Sequence, residues 1–119
     1  MVEIWHNTRC SKSRAAFNYL KDNNIDYSVR EYLKEPPTKE ELQEVLAKLN
    51  LKPSELIRKK EALFKELNLK EASEDELLEA MVANPKLIER PIVINKDKAV
   101  VARPLEAIEN ILWLPKINI

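Results

Sequence analysis

Apolar and polar residues follow two periods along this chain, one typical of strands and one typical of helices. Four short stretches with strand-like patterns predict strands, at residues 2–5, 27–32, 91–94 and 99–102. The segment from Ser11 to about Asn23 carries its apolar residues at helical spacing. A crossover helix makes the first two strands parallel, whereas the last two, joined by the turn sequence at residues 95–98, form a β-hairpin.

The segment between the second and third strands is predicted to be almost entirely helical. Thr38 with Glu41, and Ser73 with Glu76, form capping boxes that mark the start of two helices. Apolar residues follow them at helical spacing, at Leu42, Val45, Leu46 and Leu49 and at Leu77, Leu78, Met81 and Val82. Shorter helical pieces are predicted at 53–57 and at about 63–69, so the helical block covers about residues 38–84.

A last helix is predicted after Pro104, which suits a first helical turn. It carries Leu105, Ile108, Ile111 and Leu112 and is closed by Trp113, Leu114 and Pro115. The order of elements is therefore β-α-β, a helical block, and β-β-α. This order predicts an α/β protein with a thioredoxin-like fold, in which a four-stranded mixed sheet carries a helical insertion between strands 2 and 3. A length of 119 residues suggests one domain, residues 1–119.

Composition narrows the class of protein. Twenty basic residues balance twenty acidic residues, which argues against a general nucleic-acid or membrane-surface binder. The N-terminus does not resemble a signal peptide, and no apolar run approaches the length of a membrane span. A single cysteine permits no internal disulfide and no cysteine-rich metal site, so we expect a reduced, cytoplasmic protein without a metal. The absence of glycine excludes glycine-dependent phosphate loops.

The only cysteine, Cys10, and the only histidine, His6, lie four residues apart at the predicted turn from strand to helix. Backbone N–H groups and the helix dipole at that position favour a thiolate or a bound oxyanion. A lone cysteine is often a buried apolar residue and a lone histidine is often structural. Their adjacency favours a reactive pair, because a nearby imidazolium lowers the pKa of a thiol.

The charges around this stretch are almost all positive. Glu3 is the only acidic residue within residues 1–14, whereas the basic residues are Arg9, Lys12 and Arg14. The stretch therefore predicts a nucleophile and an anion pocket in the same place.

Three further arginines lie at the edges of predicted elements, namely Arg58, Arg90 and Arg103. Taken singly, each is more often a surface charge or a member of an ion pair. In the predicted fold, however, the start of the third strand lies beside the N-terminus of the first helix, so Arg90 faces Cys10. Guanidinium groups offer paired donors that suit tetrahedral oxyanions. Pro91 takes the place where thioredoxin folds hold a cis proline beside the reactive cysteine.

Several motifs together resemble the ArsC-type arsenate reductases, which depend on glutathione and glutaredoxin. The resemblance covers about residues 3–113. The motifs that carry it are His6-Asn7-x-x-Cys10-x-x-Ser13-Arg14, Tyr32-Leu33-x-x-Pro36-Pro37, Leu56-Ile57-Arg58-Lys59, Glu66-Leu67-x-Leu69, Arg90-Pro91-Ile92-Val93 and Ala102-Arg103-Pro104.

The resemblance implies a mechanism of arsenate reduction and a role in arsenic resistance. In it Cys10 attacks arsenate, and His6 with the helix N-terminus helps to keep Cys10 a thiolate. The substrate-binding residues that it implies are Arg58, Arg90, Arg103, Ser13 and Arg14. It implies no bound cofactor: glutathione as co-substrate attacks the Cys10–arsenate adduct, and glutaredoxin resolves the mixed disulfide. The sequence agrees independently that an external thiol is needed, because a single cysteine cannot form an internal disulfide.

The active-site turn departs from the pattern usual in the established arsenate reductases. Thr8 replaces a proline, and Ser11 and Lys12 replace a Gly-Thr pair. Two alternatives therefore stay open. One is a monothiol thioredoxin-fold reductase that acts on another oxyanion or on a glutathione mixed disulfide. The other is an Spx-like transcription regulator that contacts RNA polymerase, although such proteins usually carry Cys-x-x-Cys where this chain has Ser13. The oligomeric state is left open, with a monomer as the expectation.

Overall fold

The computed structural model describes residues 1–112, which divide into two compact units. One unit combines residues 1–31 with residues 90–112, and the other is Tyr32–Glu89. The first contains the sheet and one long helix. Its elements are β1 (Val2–Trp5), α1 (Ser11–Asp22), β2 (Tyr27–Arg30), β3 (Ile92–Asn95), β4 (Lys98–Val101) and a 3-10 helix at Leu105–Asn110.

The sheet is four-stranded and mixed, in the order β2-β1-β3-β4, as the sequence predicts. β1 and β2 are parallel, with Val2 opposite Tyr27. β3 is antiparallel to β1 and to β4, with Trp5 opposite Ile92. These registers bring the loop after Trp5 to the same end of the sheet as the start of β3.

The core of this unit lies between the sheet and its helices. Its buried members come from two strands, β1 and β3, from α1 and from the chain after β4, and they are Val2, Ile4, Ala16, Leu20, Val93, Ala102, Ile108 and Ile111. Ile4, Leu20 and Val93 are completely inaccessible to solvent. Burying each of these side chains contributes about 1.5–3 kcal/mol. Apolar packing through Ala16 and Leu20 therefore holds α1 against the sheet.

The Tyr32–Glu89 unit is mainly helical. Its elements are α2 (Lys39–Leu49), α3 (Pro53–Leu56), α4 (Ala62–Glu66), a 3-10 helix at Leu69–Glu71, α5 (Glu74–Ala83) and a 3-10 helix at Pro85–Leu87. Both predicted capping boxes are present: the Thr38 and Ser73 hydroxyls accept from the N–H groups of Glu41 and Glu76. The two helix starts were predictable because a capping box is a local interaction.

Several boundaries differ from the sequence prediction, each for a local reason. β3 begins at Ile92 rather than Pro91, because proline has no N–H for the ladder. The hairpin turn has only two residues, since Asn95 pairs with Lys98. β4 accordingly covers Lys98–Val101, one residue earlier than predicted.

Three further differences concern the ends of elements. β2 ends at Arg30, two residues before the predicted end at Tyr32. The predicted piece at 63–69 is split, because Asn68 adopts a left-handed conformation between α4 and the following 3-10 helix. The last helix is a 3-10 helix rather than an α-helix, as is common for short pieces. Its predicted closure by Trp113, Leu114 and Pro115 lies outside the described residues.

Within residues 1–112, left-handed backbone conformations occur at four non-glycine residues, at Asn24, Asn50, Asn68 and Lys96. Asparagine tolerates this conformation because its short polar side chain bonds locally. Lys96, in the hairpin turn, has a φ of 57° without that compensation. This turn is therefore the one place among the four where the side chain is poorly matched to the backbone.

Replacing Lys96 by glycine removes the steric cost of its left-handed conformation. We expect Lys96→Gly to raise the free energy of unfolding by about 0.5–1 kcal/mol in urea denaturation. Lys98→Gly is the matched control in β4 and should lower that free energy, because glycine weakens strands. A Lys96→Gly protein no more stable than wild type would contradict this explanation.

Candidate active site

Cys10 lies at the end of the loop that connects β1 to α1. It is the N-cap of α1, with an extended backbone (φ −97°, ψ 123°), and it is partly exposed to solvent. The loop is turned by Asn7: its carbonyl accepts from the Cys10 N–H at 3.0 Å, and its Oδ1 accepts from the Arg9 N–H at 3.0 Å. This arrangement places the thiol at the first turn of a twelve-residue helix.

The pKa of the Cys10 thiol lies below its usual value. Burial opposes ionisation, but the N–H groups of Ser13 and Lys12 and the Arg90 guanidinium outweigh it. The two N–H groups do not form a well-aligned capping bond to the sulfur, so they act mainly through their dipoles at the helix start. Arg90 contributes both a hydrogen bond and a positive charge to the thiolate. The same donors could stabilise a bound oxyanion.

Arg90 and Arg103 are brought together by the β3–β4 pairing. Arg90 precedes β3 and Arg103 follows β4, and Ile92 lies opposite Val101 in the ladder. Nε of Arg103 donates to the Arg90 carbonyl at 2.8 Å, and its Nη2 lies 3.8 Å from Sγ of Cys10. Two guanidinium groups therefore meet the sulfur from this end of the sheet.

The peptide bond before Pro91 is cis, as expected from its place in the fold. The bond between Arg103 and Pro104 is cis as well, which the sequence analysis did not predict.

His6 is buried against α1. Its Nδ1 lies 2.6 Å from the Ser13 hydroxyl, and its ring stacks on Phe17 with centroids 5.2 Å apart. Burial lowers the pKa of His6; Glu31 raises it, and Arg14 lowers it further. The neutral imidazole is thus the favoured form. The expectation that an imidazolium at His6 keeps Cys10 ionised is not supported, because desolvation acts against that charge.

Ser13 and Arg14 contact the active-site loop itself. The Ser13 side chain is fully buried and accepts from the Asn7 N–H at 2.9 Å. Arg14 Nη1 donates to the Thr8 carbonyl at 3.0 Å. These contacts support the loop, and the substrate-binding role implied for both residues stays a prediction.

Arg58 belongs to the Tyr32–Glu89 unit. Its backbone N–H donates to the Leu87 carbonyl at 2.7 Å, and its Nη1 donates to the Lys86 carbonyl at 3.2 Å. The same Nη1 lies 3.3 Å from Oε2 of Glu61, whose other oxygen lies 3.6 Å from Nζ of Lys86. The structure therefore brings Arg90 and Arg103 to Cys10, whereas Arg58 is held by contacts within its own unit.

Two contributors to the site were missed in the sequence. Asn7 shapes the loop, and the preference of asparagine for turns that bond its own backbone was the available signal. Glu31 acts on His6 because Trp5 pairs with Arg30, so the residues that follow are neighbours. Predicting this proximity required the register between β1 and β2, and the alternation of apolar and polar residues does not determine that register.

Within residues 1–112, no three histidine, cysteine, aspartate or glutamate side chains come together as a metal ion would require. No helix there has the length and apolar character needed to cross a membrane.

The sheet order and the cysteine at the start of α1 define a thioredoxin-like protein. The sequence model of the ArsC family matches residues 5–111, which is most of the chain. The chain therefore belongs to the ArsC family.

Relatives of nearly equal length support this assignment. The Escherichia coli K12 protein YfgD, described as uncharacterized, is 46% identical over 93% of this chain and 96% of its own. An arsenate reductase of Neisseria meningitidis serogroup A is 45% identical over 93% of this chain and 97% of its own. The structure of an arsenate reductase from Vibrio cholerae matches with a TM-score of 0.88 and 42% identity, covering 92% of this chain and 96% of that one.

The lowered pKa of Cys10 predicts fast alkylation near neutral pH, because only the thiolate reacts. We expect the rate of reaction with iodoacetamide to rise with pH to a midpoint below the ~8.5 of an ordinary thiol. Arg90→Gln should shift that midpoint upward, since the hydrogen bond and charge at the sulfur are lost. Arg9→Gln removes the same charge from an exposed residue of the loop and should leave the midpoint near that of wild type. A wild-type midpoint at ~8.5 or above would contradict an activated thiolate.

Proposed function

We propose that this protein is an oxidoreductase that reduces arsenate to arsenite, with Cys10 as nucleophile and glutathione and glutaredoxin as the source of reducing equivalents. The observation that carries the proposal is the environment of Cys10. The pKa of its thiol is lowered, and its sulfur faces Arg90 and Arg103. A thiolate is the nucleophilic form of cysteine, and guanidinium groups offset the charge of an oxyanion and of its transition state. The arsenate reductases among the ArsC relatives support the choice of substrate.

In the first step the Cys10 thiolate attacks arsenic(V). A sulfur–arsenic bond forms, and one arsenate oxygen leaves as water after accepting protons. Arg90 and Arg103 hold the anion against the thiolate, and the N–H groups of Lys12 and Ser13 lie at the same helix start. Arg58, Ser13 and Arg14 remain proposed substrate-binding residues.

In the second step the glutathione thiolate attacks the Cys10 sulfur. The sulfur–arsenic bond breaks and its electron pair stays on arsenic, so arsenic(V) becomes arsenic(III). The products are arsenite and a mixed disulfide between Cys10 and glutathione. Glutaredoxin then attacks the glutathione sulfur, and Cys10 leaves as a thiolate.

The requirement for an external reductant follows from cysteine content. Cys10 is the only cysteine of the chain, so no second protein thiol can displace glutathione internally. A compartment rich in reduced glutathione, such as the cytoplasm, suits this cycle.

The proposal is tested by arsenate-dependent NADPH oxidation, with glutathione, glutaredoxin and glutathione reductase supplied. Wild type should turn over and Cys10→Ser should not. Arg90→Gln and Arg103→Gln should each lower kcat/KM by about 10²-fold, by the loss of a donor to the oxyanion. Arg30→Gln is the control, because that guanidinium lies 5.5 Å from the centre of the Trp5 ring on β1 and should leave kcat/KM nearly unchanged.

Absence of arsenate turnover, with rapid alkylation of Cys10 retained, would overturn arsenate as the substrate. Turnover of a glutathionylated substrate without arsenate would then support a different monothiol reductase. Thr8, Ser11 and Lys12 are the residues that motivate this second candidate, because they lie in the loop and first turn that surround the thiol. Capture of RNA polymerase by the full-length chain would instead support the regulator.

A further inference from the structure

The Ser13 hydroxyl lies between two partners of the active-site loop. Its oxygen is 2.6 Å from Nδ1 of His6 and 2.9 Å from the backbone nitrogen of Asn7. The Ser13 side chain is fully buried, and His6 is only 7% exposed. Water therefore has little access to these atoms and cannot readily replace either hydrogen bond.

Donor and acceptor counting fixes the direction of the Asn7 bond and favours one direction for the His6 bond. The Asn7 N–H can only donate, so it occupies a lone pair of the Ser13 oxygen. The hydroxyl retains one proton, and within residues 1–112 its one other partner is Nδ1 of His6. Donation of that proton to an unprotonated Nδ1 is the arrangement that leaves no buried hydroxyl proton without an acceptor. The neutral imidazole must then carry its own proton on Nε2.

The surroundings of His6 favour the same neutral form. From α1, Phe17 covers one face of the ring and Arg14 contributes a positive charge. Glu31, just after β2, contributes the opposing negative charge. Burial against these elements is the largest influence, so the positive imidazolium is disfavoured.

Asn7 connects this buried bond to the nucleophile. Its N–H is held by Ser13, whereas its carbonyl accepts the Cys10 N–H at 3.0 Å. Its side-chain Oδ1 accepts the Arg9 N–H at 3.0 Å, which closes the turn. Movement of the Asn7 peptide would therefore displace Cys10 from the arginines and from the helix start.

We propose that Ser13 is a positioning residue that couples the protonation state of His6 to the placement of Cys10. With neutral His6, the Ser13 hydroxyl donates to Nδ1 and holds the Asn7 peptide. A proton on Nδ1 turns that nitrogen into a donor to the Ser13 oxygen, so the bond reverses and the buried hydroxyl proton loses its acceptor. The loop then loosens, and the reactivity of each thiolate falls. This inference deepens the proposed function, on which its catalytic consequence rests.

The first test is ¹⁵N NMR of the full-length wild type, in which His6 is the only histidine. The neutral ring should show a protonated Nε2 and an unprotonated, hydrogen-bonded Nδ1. Ser13→Ala should raise the pKa of His6, because the neutral ring loses the donor that stabilises it. Ser13→Thr keeps the hydroxyl and should restore a wild-type titration. Ser11→Ala is the control, because it removes an exposed serine from the same helical turn.

The second test measures Cys10 alkylation against pH in the same proteins. In wild type, the rate should fall on the acid side with two ionisations, those of the thiol and of His6. In Ser13→Ala the rate should be lower at every pH and should follow the thiol ionisation alone.

A proton on Nδ1 in neutral wild-type His6 would overturn the proposal, and so would an alkylation profile with one ionisation across the range where His6 titrates. Neither test uses arsenate. A lack of arsenate turnover would therefore not contradict the role proposed for Ser13. Conversely, a negative result in these two tests would not contradict arsenate as the substrate.

Discussion

The antiparallel pairing of Trp5 with Ile92 joins two segments that are more than eighty residues apart in the sequence. It carries the loop with Cys10 to the dipeptide that contains Arg90, and the β3–β4 hairpin adds Arg103 to the same end of the sheet. Without this register the thiol would meet only its own helix start. The sheet therefore supplies the guanidinium groups, whereas α1 supplies the backbone donors.

This arrangement concentrates positive charge at one place in a chain whose formal net charge is zero. The guanidinium groups of Arg90 and Arg103, which both face the sulfur, repel one another when the site is empty. An ionised sulfur reduces that repulsion, and a bound oxyanion reduces it further. Ionisation of Cys10 and binding of an anion therefore both relieve the same electrostatic cost, so the two compete for the same donors until they react.

The sequence predicts those features that depend on local interactions. The capping boxes at Thr38 and Ser73, the start of α1 and the β-α-β order were visible because each signal lies within a few residues. The position of Arg90 was also predictable, since the fold class carries the start of β3 to Cys10. The protonation state of His6 was not predictable from the sequence. It depends on burial, on the stacking of Phe17 and on Glu31, which follows the neighbouring strand β2.

The glycine-free composition has a consequence for the unfolded chain. Glycine widens the range of backbone conformations that an unfolded chain samples, and folding must remove that freedom. Here asparagine fills three of the four left-handed positions in the described part of the chain, so these turns form without adding such freedom. The local steric cost at each turn is thereby exchanged for a smaller loss of conformational entropy across the whole chain. Its unfolded ensemble is therefore narrower than that of a chain of the same length that contains glycine.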